Sequence, residues 1–158
     1  MFVISFVAML LIATLFNSPF FNPAQATNQN LKQSGSAAAA KAILARWGPS
    51  GQETARHNLM LDWLFIIVYV TTWVAAGRYF RPDIIWTKVA VVVGLAGAAA
   101  DIVENVQLGK LLNGNVTDAI AHTCKTASSI NVALFMVAAL YFMAAAITTA
   151  CRAPMITR

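Results

Sequence analysis

The sequence predicts an all-α protein, an integral membrane four-helix bundle with a short amphipathic helix at the interface. Three observations predict it. Hydrophobic residues make up 59% of the 158 residues and charged ones 11%, about half the charged share of an ordinary soluble domain. The apolar residues fall into four runs, and the last three approach or exceed the ~20 residues a helix needs to cross a bilayer core. The breaks between runs are short and carry Pro, Gly, Asn, Lys and Arg, the residues of turns and interfaces. The net charge of +5 comes from Lys and Arg near the ends of apolar runs. They read as interfacial anchors against a lipid bilayer. No basic patch interleaved with aromatics points to a nucleic acid.

The first run, residues 2–16, is short for a span. Ala24-Gln25-Ala26 has the small-x-small form of a signal-peptidase site, yet no Lys or Arg precedes the run, as a signal's basic start requires. Residues 1–22 therefore read as a first transmembrane helix, a signal anchor, or as a signal sequence. Residues 23–50 read as a polar spacer and an amphipathic helix. Within them 27–36 is loop-like, and Ala40, Ile43, Leu44 and Trp47 then form one stripe at i, i+3, i+4 and i+7. Lys41 and Arg46 suit water or headgroups, so this helix lies on the membrane or against other helices rather than across it. Trp47-Gly48-Pro49 ends it. Ser50 and Glu53 have capping-box spacing, which starts the next helix near Gly51. Residues 51–158 supply three transmembrane helices of one bundle domain, broken at Arg81-Pro82-Asp83 and at Asn113-Gly114-Asn115.

Short connections make neighbouring helices antiparallel, so the 78–88 turn and the C-terminus share a side. Lys and Arg number five on each side. The charge rule acts through short loops, and the tight turn with Arg78, Arg81 and Lys88 makes that side, with the C-terminus, cytoplasmic.

Counting up from Arg78 and Lys88 sets Asp62 and Glu104 at one level, ~24 Å along their helices, with Asp101 at ~20 Å. His57 lies just above Asp62, and His122, Lys125 and Ser129 lie in the first half of the last helix. A polar intramembrane cluster of Asp62, Asp101, Glu104, Asn105, His122 and Lys125 follows, with Arg56, His57 and Ser129 as accessories. Gly94, Gly97, Asp101, Glu104 and Leu108 share one helical face, and His122, Lys125 and Ser129 another. An isolated charge inside a membrane is costly, so partners are expected whatever the cluster does. Glu104 or Asp101 pairing with Lys125 is the structural reading; a binding or catalytic site is the functional one. No cofactor is expected. Asp62, Asp101, Glu104, His57 and His122 are suitable ligand types for a divalent metal, but no spacing among them makes a helical metal motif. A bis-histidine haem from His57 and His122 is weaker still. If both lie on one helix, Cys124 and Cys151 are ~40 Å apart and cannot form a disulfide with each other.

Ile43-Leu44-x-x-Trp47, Leu61-Asp62-x-x-Phe65-x-x-x-Tyr69 and Asp101-x-x-Glu104-Asn105, followed by Lys125, resemble the patterns of a set of small, uncharacterised bacterial four-helix integral membrane proteins. The resemblance implies a multi-pass protein of the bacterial inner membrane and carries no activity. Without a Ser/His/Asp arrangement or a phosphate-binding glycine loop, the expected function is non-catalytic: a subunit of a larger membrane complex, or a small binding protein. The alternative is a membrane-embedded enzyme or carrier that handles a lipid or other amphiphile at the polar cluster.

Overall fold

The computed structural model describes residues 28–80 and 84–152. Residues 1–22 and the Cys151 side chain lie outside the described residues. Among the described residues there are four helices and no strand: α1 (Asn28–Lys32), α2 (Ala37–Tyr79), α3 (Ile85–Leu112) and α4 (Asp118–Arg152). The last three are long and apolar enough to cross a membrane. At 1.5 Å per residue α3 alone is about 42 Å long.

α2 is two helical pieces joined at Gly48, whose φ of 64° and ψ of −173° interrupt the helical backbone. Glycine adopts a positive φ at little cost. Pro49 opens the second piece, where its missing N–H would have been unsatisfied anyway. This corrects the start near Gly51. Helical geometry resumes directly after Gly48, so Ser50 sits inside the first turn. Glu53 approaches Arg56 at 3.3 Å and His57 at 3.6 Å rather than completing a capping box. The first piece is capped by Ser36, whose Oγ accepts from the Ala39 N–H at 3.2 Å. Thr117 does the same for α4, accepting from the Ile120 N–H at 3.3 Å.

The polar stretch before α2 is also corrected. It carries a helix, α1, and Leu31 on it is fully buried. Asn28 Nδ2 donates to the Ala55 carbonyl at 3.1 Å, and Gln33 Nε2 to Ser128 Oγ at 3.4 Å. A helix of five residues shows no readable apolar period, and the Asn28 amide N–H and the Lys32 ammonium are spent on partners inside the fold.

Two apolar cores result among the described residues. One, around Leu31, Leu44, Trp47, Leu108, Leu111 and Cys124, closes the α1 end of the bundle. The stripe on the first piece of α2 therefore packs against other helices. The second core, around Tyr69, Trp73, Phe80, Ala98 and Phe142, fills the opposite half. Gly94 lets α3 approach α2 closely, since a Cβ there would come 2.6 Å from Trp73 Cδ1. Many large apolar side chains elsewhere face outward, among them Ile67, Trp86, Val92 and Val137.

Candidate functional site

The two cores are separated by a layer of charge. Asp62 stands on α2 between Ala55 of the first core and Ile66 of the second. Asp101 and Glu104 stand on α3 between Ala98 and Leu108. The spacing of Gly94, Gly97, Asp101, Glu104 and Leu108 makes one face of α3, and all five are buried. One carboxylate oxygen from each of Asp62, Asp101 and Glu104 lies within 4.8 Å of the others.

Among the described residues, the cation in this layer is Lys32, from α1. Its Nζ pairs with Asp62 Oδ2 at 2.9 Å and with Glu104 Oε1. Burial opposes the Lys32 charge, but the carboxylates of Asp62 and Glu104 outweigh it and hold the ammonium well above its ordinary pKa. Asp101 is held differently: the Tyr69 hydroxyl donates to its Oδ2 at 3.0 Å. Glu104 and Asn105 are each 1% exposed. Among the described residues, Glu104 Oε2 and both amide atoms of Asn105 have no hydrogen-bond partner. Buried polar atoms are rarely left unpaired in this way.

The structure brings Asp62, Asp101 and Glu104 together and sets Asn105 beside Glu104 on α3. It does not bring in Lys125 or His122. Lys125, His122 and Ser129 are all exposed, while Ala121, Cys124, Ala127 and Ser128 are the buried positions of that stretch of α4. The helix is thus turned by about one residue, ~100°, from the orientation that would pair Lys125 with Glu104. Lys125 lies instead over the α1–α2 turn, where a Cβ on Gly35 would meet its Cδ at 3.1 Å. The Ser129 hydroxyl donates to the Lys125 carbonyl at 3.0 Å.

The accessory residues have other tasks. Arg56 Nη2 donates to the Leu112 carbonyl at 2.8 Å and so satisfies one of the carbonyls left open at the end of α3. His57 is exposed beside Glu53. His57 and His122 are both exposed, and neither joins the three carboxylates. His122 borders a separate, largely apolar surface groove of about 330 Å³ between α3 and α4, with Ala100, Val103, Thr126 and Ile130 among its walls.

Sequence reasoning missed Lys32 and named Tyr69 only within the pattern Leu61-Asp62-x-x-Phe65-x-x-x-Tyr69. Tyr69 carried a usable signal, since it sits seven residues after Asp62 on the same face. Lys32 carried none beyond being a lysine in a polar stretch. Comparison with protein-family models, with curated proteins and with solved structures finds no match to this chain.

Proposed function

We propose that this chain is a non-catalytic, multi-pass membrane protein, a small binding protein whose buried acidic layer holds a cation. One observation carries the reading. Three carboxylates from two helices converge within 4.8 Å; among the described residues they meet one ammonium, and one oxygen of Glu104 has no partner. A network evolved only for stability would be expected to close its charge and its hydrogen bonds. Excess negative charge at such depth marks a functional site by default.

Three apolar helices and an outward-facing apolar surface support placement in a bilayer. Resemblance to small bacterial four-helix proteins supports the inner membrane. Arg78 and Lys88, flanking the tight turn, support a cytoplasmic turn and C-terminus. Cysteines introduced at Arg78 and at Asn115 test the orientation. An impermeant thiol reagent added to intact cells should label only the second; labelling only the first would reverse it.

Cation binding is tested by chemical rescue. Lys32→Met removes the internal ammonium, and the variant's thermal stability in mild detergent is followed with added potassium, methylammonium or manganese(II) chloride. Tetrabutylammonium chloride at equal ionic strength is the control, too bulky to enter. Recovery with any small cation, and none with the control, is the expected result. No recovery with any of the three would reduce the layer to a structural ion network.

A further inference from the structure

We propose that Asp62, Asp101 and Glu104 form a site for a hard divalent cation, and that the Lys32 ammonium is the tethered competitor for it. This rests on the cation-binding reading above and gives that reading a ligand class and a control.

The distances suit one ion. Oxygen ligands lie about 2.0–2.6 Å from magnesium, manganese or calcium, so oxygens that share an ion lie at most about twice that apart. The three carboxylate oxygens lie within 4.8 Å of one another, inside the limit of about 5.2 Å set by calcium-like bonds without any movement of the helices, and the shorter bonds of magnesium would draw them together. The donors are all hard. Neither histidine reaches the layer, and the Cys124 thiol is directed to the Glu104 backbone carbonyl at 3.7 Å. An all-oxygen set favours magnesium, calcium or manganese over zinc or copper.

An independent observation points the same way. Glu104 Oε2 and the Asn105 carboxamide are buried and have no partner among the described residues. Asn105 stands one residue from Glu104 and four from Asp101, on the same buried face of α3. Carboxylate and amide oxygens are both ligands that a hard cation takes.

Lys32 is placed to exchange. Its side chain is 12% exposed and that of Asp62 17%, against 2% for Glu104, so Lys32 and Asp62 form the more accessible edge of the layer. Lys32 belongs to a five-residue helix joined to α2 through Gly35, whose φ is 68°. Withdrawal of α1 about this glycine takes one positive charge out, and a divalent ion brings two in. The three carboxylates, net minus two with lysine, become net minus one with the ion. Ion binding therefore opposes docking of α1, and docking of α1 opposes the ion.

The test is a titration of the full-length protein in mild detergent with manganese(II), following the free-ion paramagnetic resonance signal. Lys32→Met should bind manganese at least ten-fold more tightly than wild type, and Lys32→Arg, which keeps the charge, should not. Asp101→Asn alone should weaken wild-type binding at least ten-fold, a comparison that stands even where Lys32→Met does not fold. Equal affinity of wild type and Lys32→Met, or of wild type and Asp101→Asn, would overturn the proposal. Thermal rescue of Lys32→Met by methylammonium and not by manganese would overturn the divalent class while leaving cation binding intact. Rescue by neither, nor by potassium, would overturn both.

Discussion

Lys32 and Glu104 form an ion pair that ties a polar stretch near the start of the described chain to the middle of its third helix. Glu104 is 1% exposed and Lys32 also holds Asp62, so the pair fixes α1, α2 and α3 at one point. Breaking such a pair from one side leaves a buried charge uncompensated. Replacing both sides with apolar or neutral groups removes the problem along with the bond.

The first prediction follows from that asymmetry. Lys32→Met should lower stability in detergent by about 3–5 kcal/mol in the absence of a rescuing cation, whereas Lys32→Met with Glu104→Gln should recover much of the loss. Asp62 retains part of the demand for a cation, so recovery falls short of complete. Lys125→Met should leave the melting temperature unchanged, because Lys125 is exposed. A double-mutant cycle measures the coupling. Coupling of zero between Lys32 and Glu104, or a large one between Lys125 and Glu104, would contradict the observed pairing.

The second concerns alkaline pH. Lys32 has its pKa raised above the ordinary 10.5. The pair's contribution is therefore fully present below that ordinary value. Above it the unfolded chain loses the proton while the folded chain keeps it, so stability falls as pH rises through this range and toward the raised value. Denaturation followed from pH 9 upward should show a loss in wild type that is smaller in Lys32→Met. Parallel curves for the two would remove Lys32 as the titrating group.

Much of this architecture was legible. Apolar runs of membrane length, Gly48-Pro49 and Asn113-Gly114-Asn115 marked the long helices, because hydrophobic length and backbone restriction are local properties. The acids of α3 were legible as one face, since Gly94, Gly97 and Leu108 fixed its direction. Lys32 was not. Five residues are too few for a period, and a lysine's partner is chosen by tertiary packing that no local pattern records. Lys125 misled for a related reason. The spacing of His122, Lys125 and Ser129 shows that they share a face. The helix is apolar nearly all round and only 11% of its most apolar window is buried, so nothing local says which face turns inward.

The third prediction separates two glycines on α3. A methyl group at Gly94 would come 2.6 Å from Trp73 Cδ1, whereas at Gly109 the nearest neighbour is Leu59 Cδ2 at 3.6 Å. Trp73 is 1% exposed and stacked on Phe142 at a ring separation of 5.5 Å, so it has little room to yield. Gly94→Ala should cost about 1–3 kcal/mol through overpacking. Gly109→Ala should be neutral or gain up to about 1 kcal/mol from helix propensity. Thermal melts of the two variants check this, and equal stability would show that α2 and α3 are not in close contact at Gly94.

The fourth prediction asks whether the acidic layer is kept for stability or in spite of it. Tyr69 is 1% exposed and its hydroxyl donates to Asp101. Tyr69→Phe removes a hydrogen bond to a charged group, which is worth about 1.5–3 kcal/mol, and leaves the Asp101 carboxyl less well held. Asp101→Asn keeps an oxygen that can accept from Tyr69 and removes one negative charge from a layer with three acids and one lysine. If the layer existed to stabilise the fold, that change would cost stability. On the cation-site reading it should be neutral or raise the melting temperature, because charges retained for binding are locally unfavourable. Tyr69→Phe should then cost less in the Asp101→Asn background, since the bond it removes there is to a neutral group. Both numbers come from one cycle of melts in cation-free detergent. A marked loss of stability in Asp101→Asn would identify Asp101 as a structural counter-charge and remove the argument that excess acid in this layer serves a ligand.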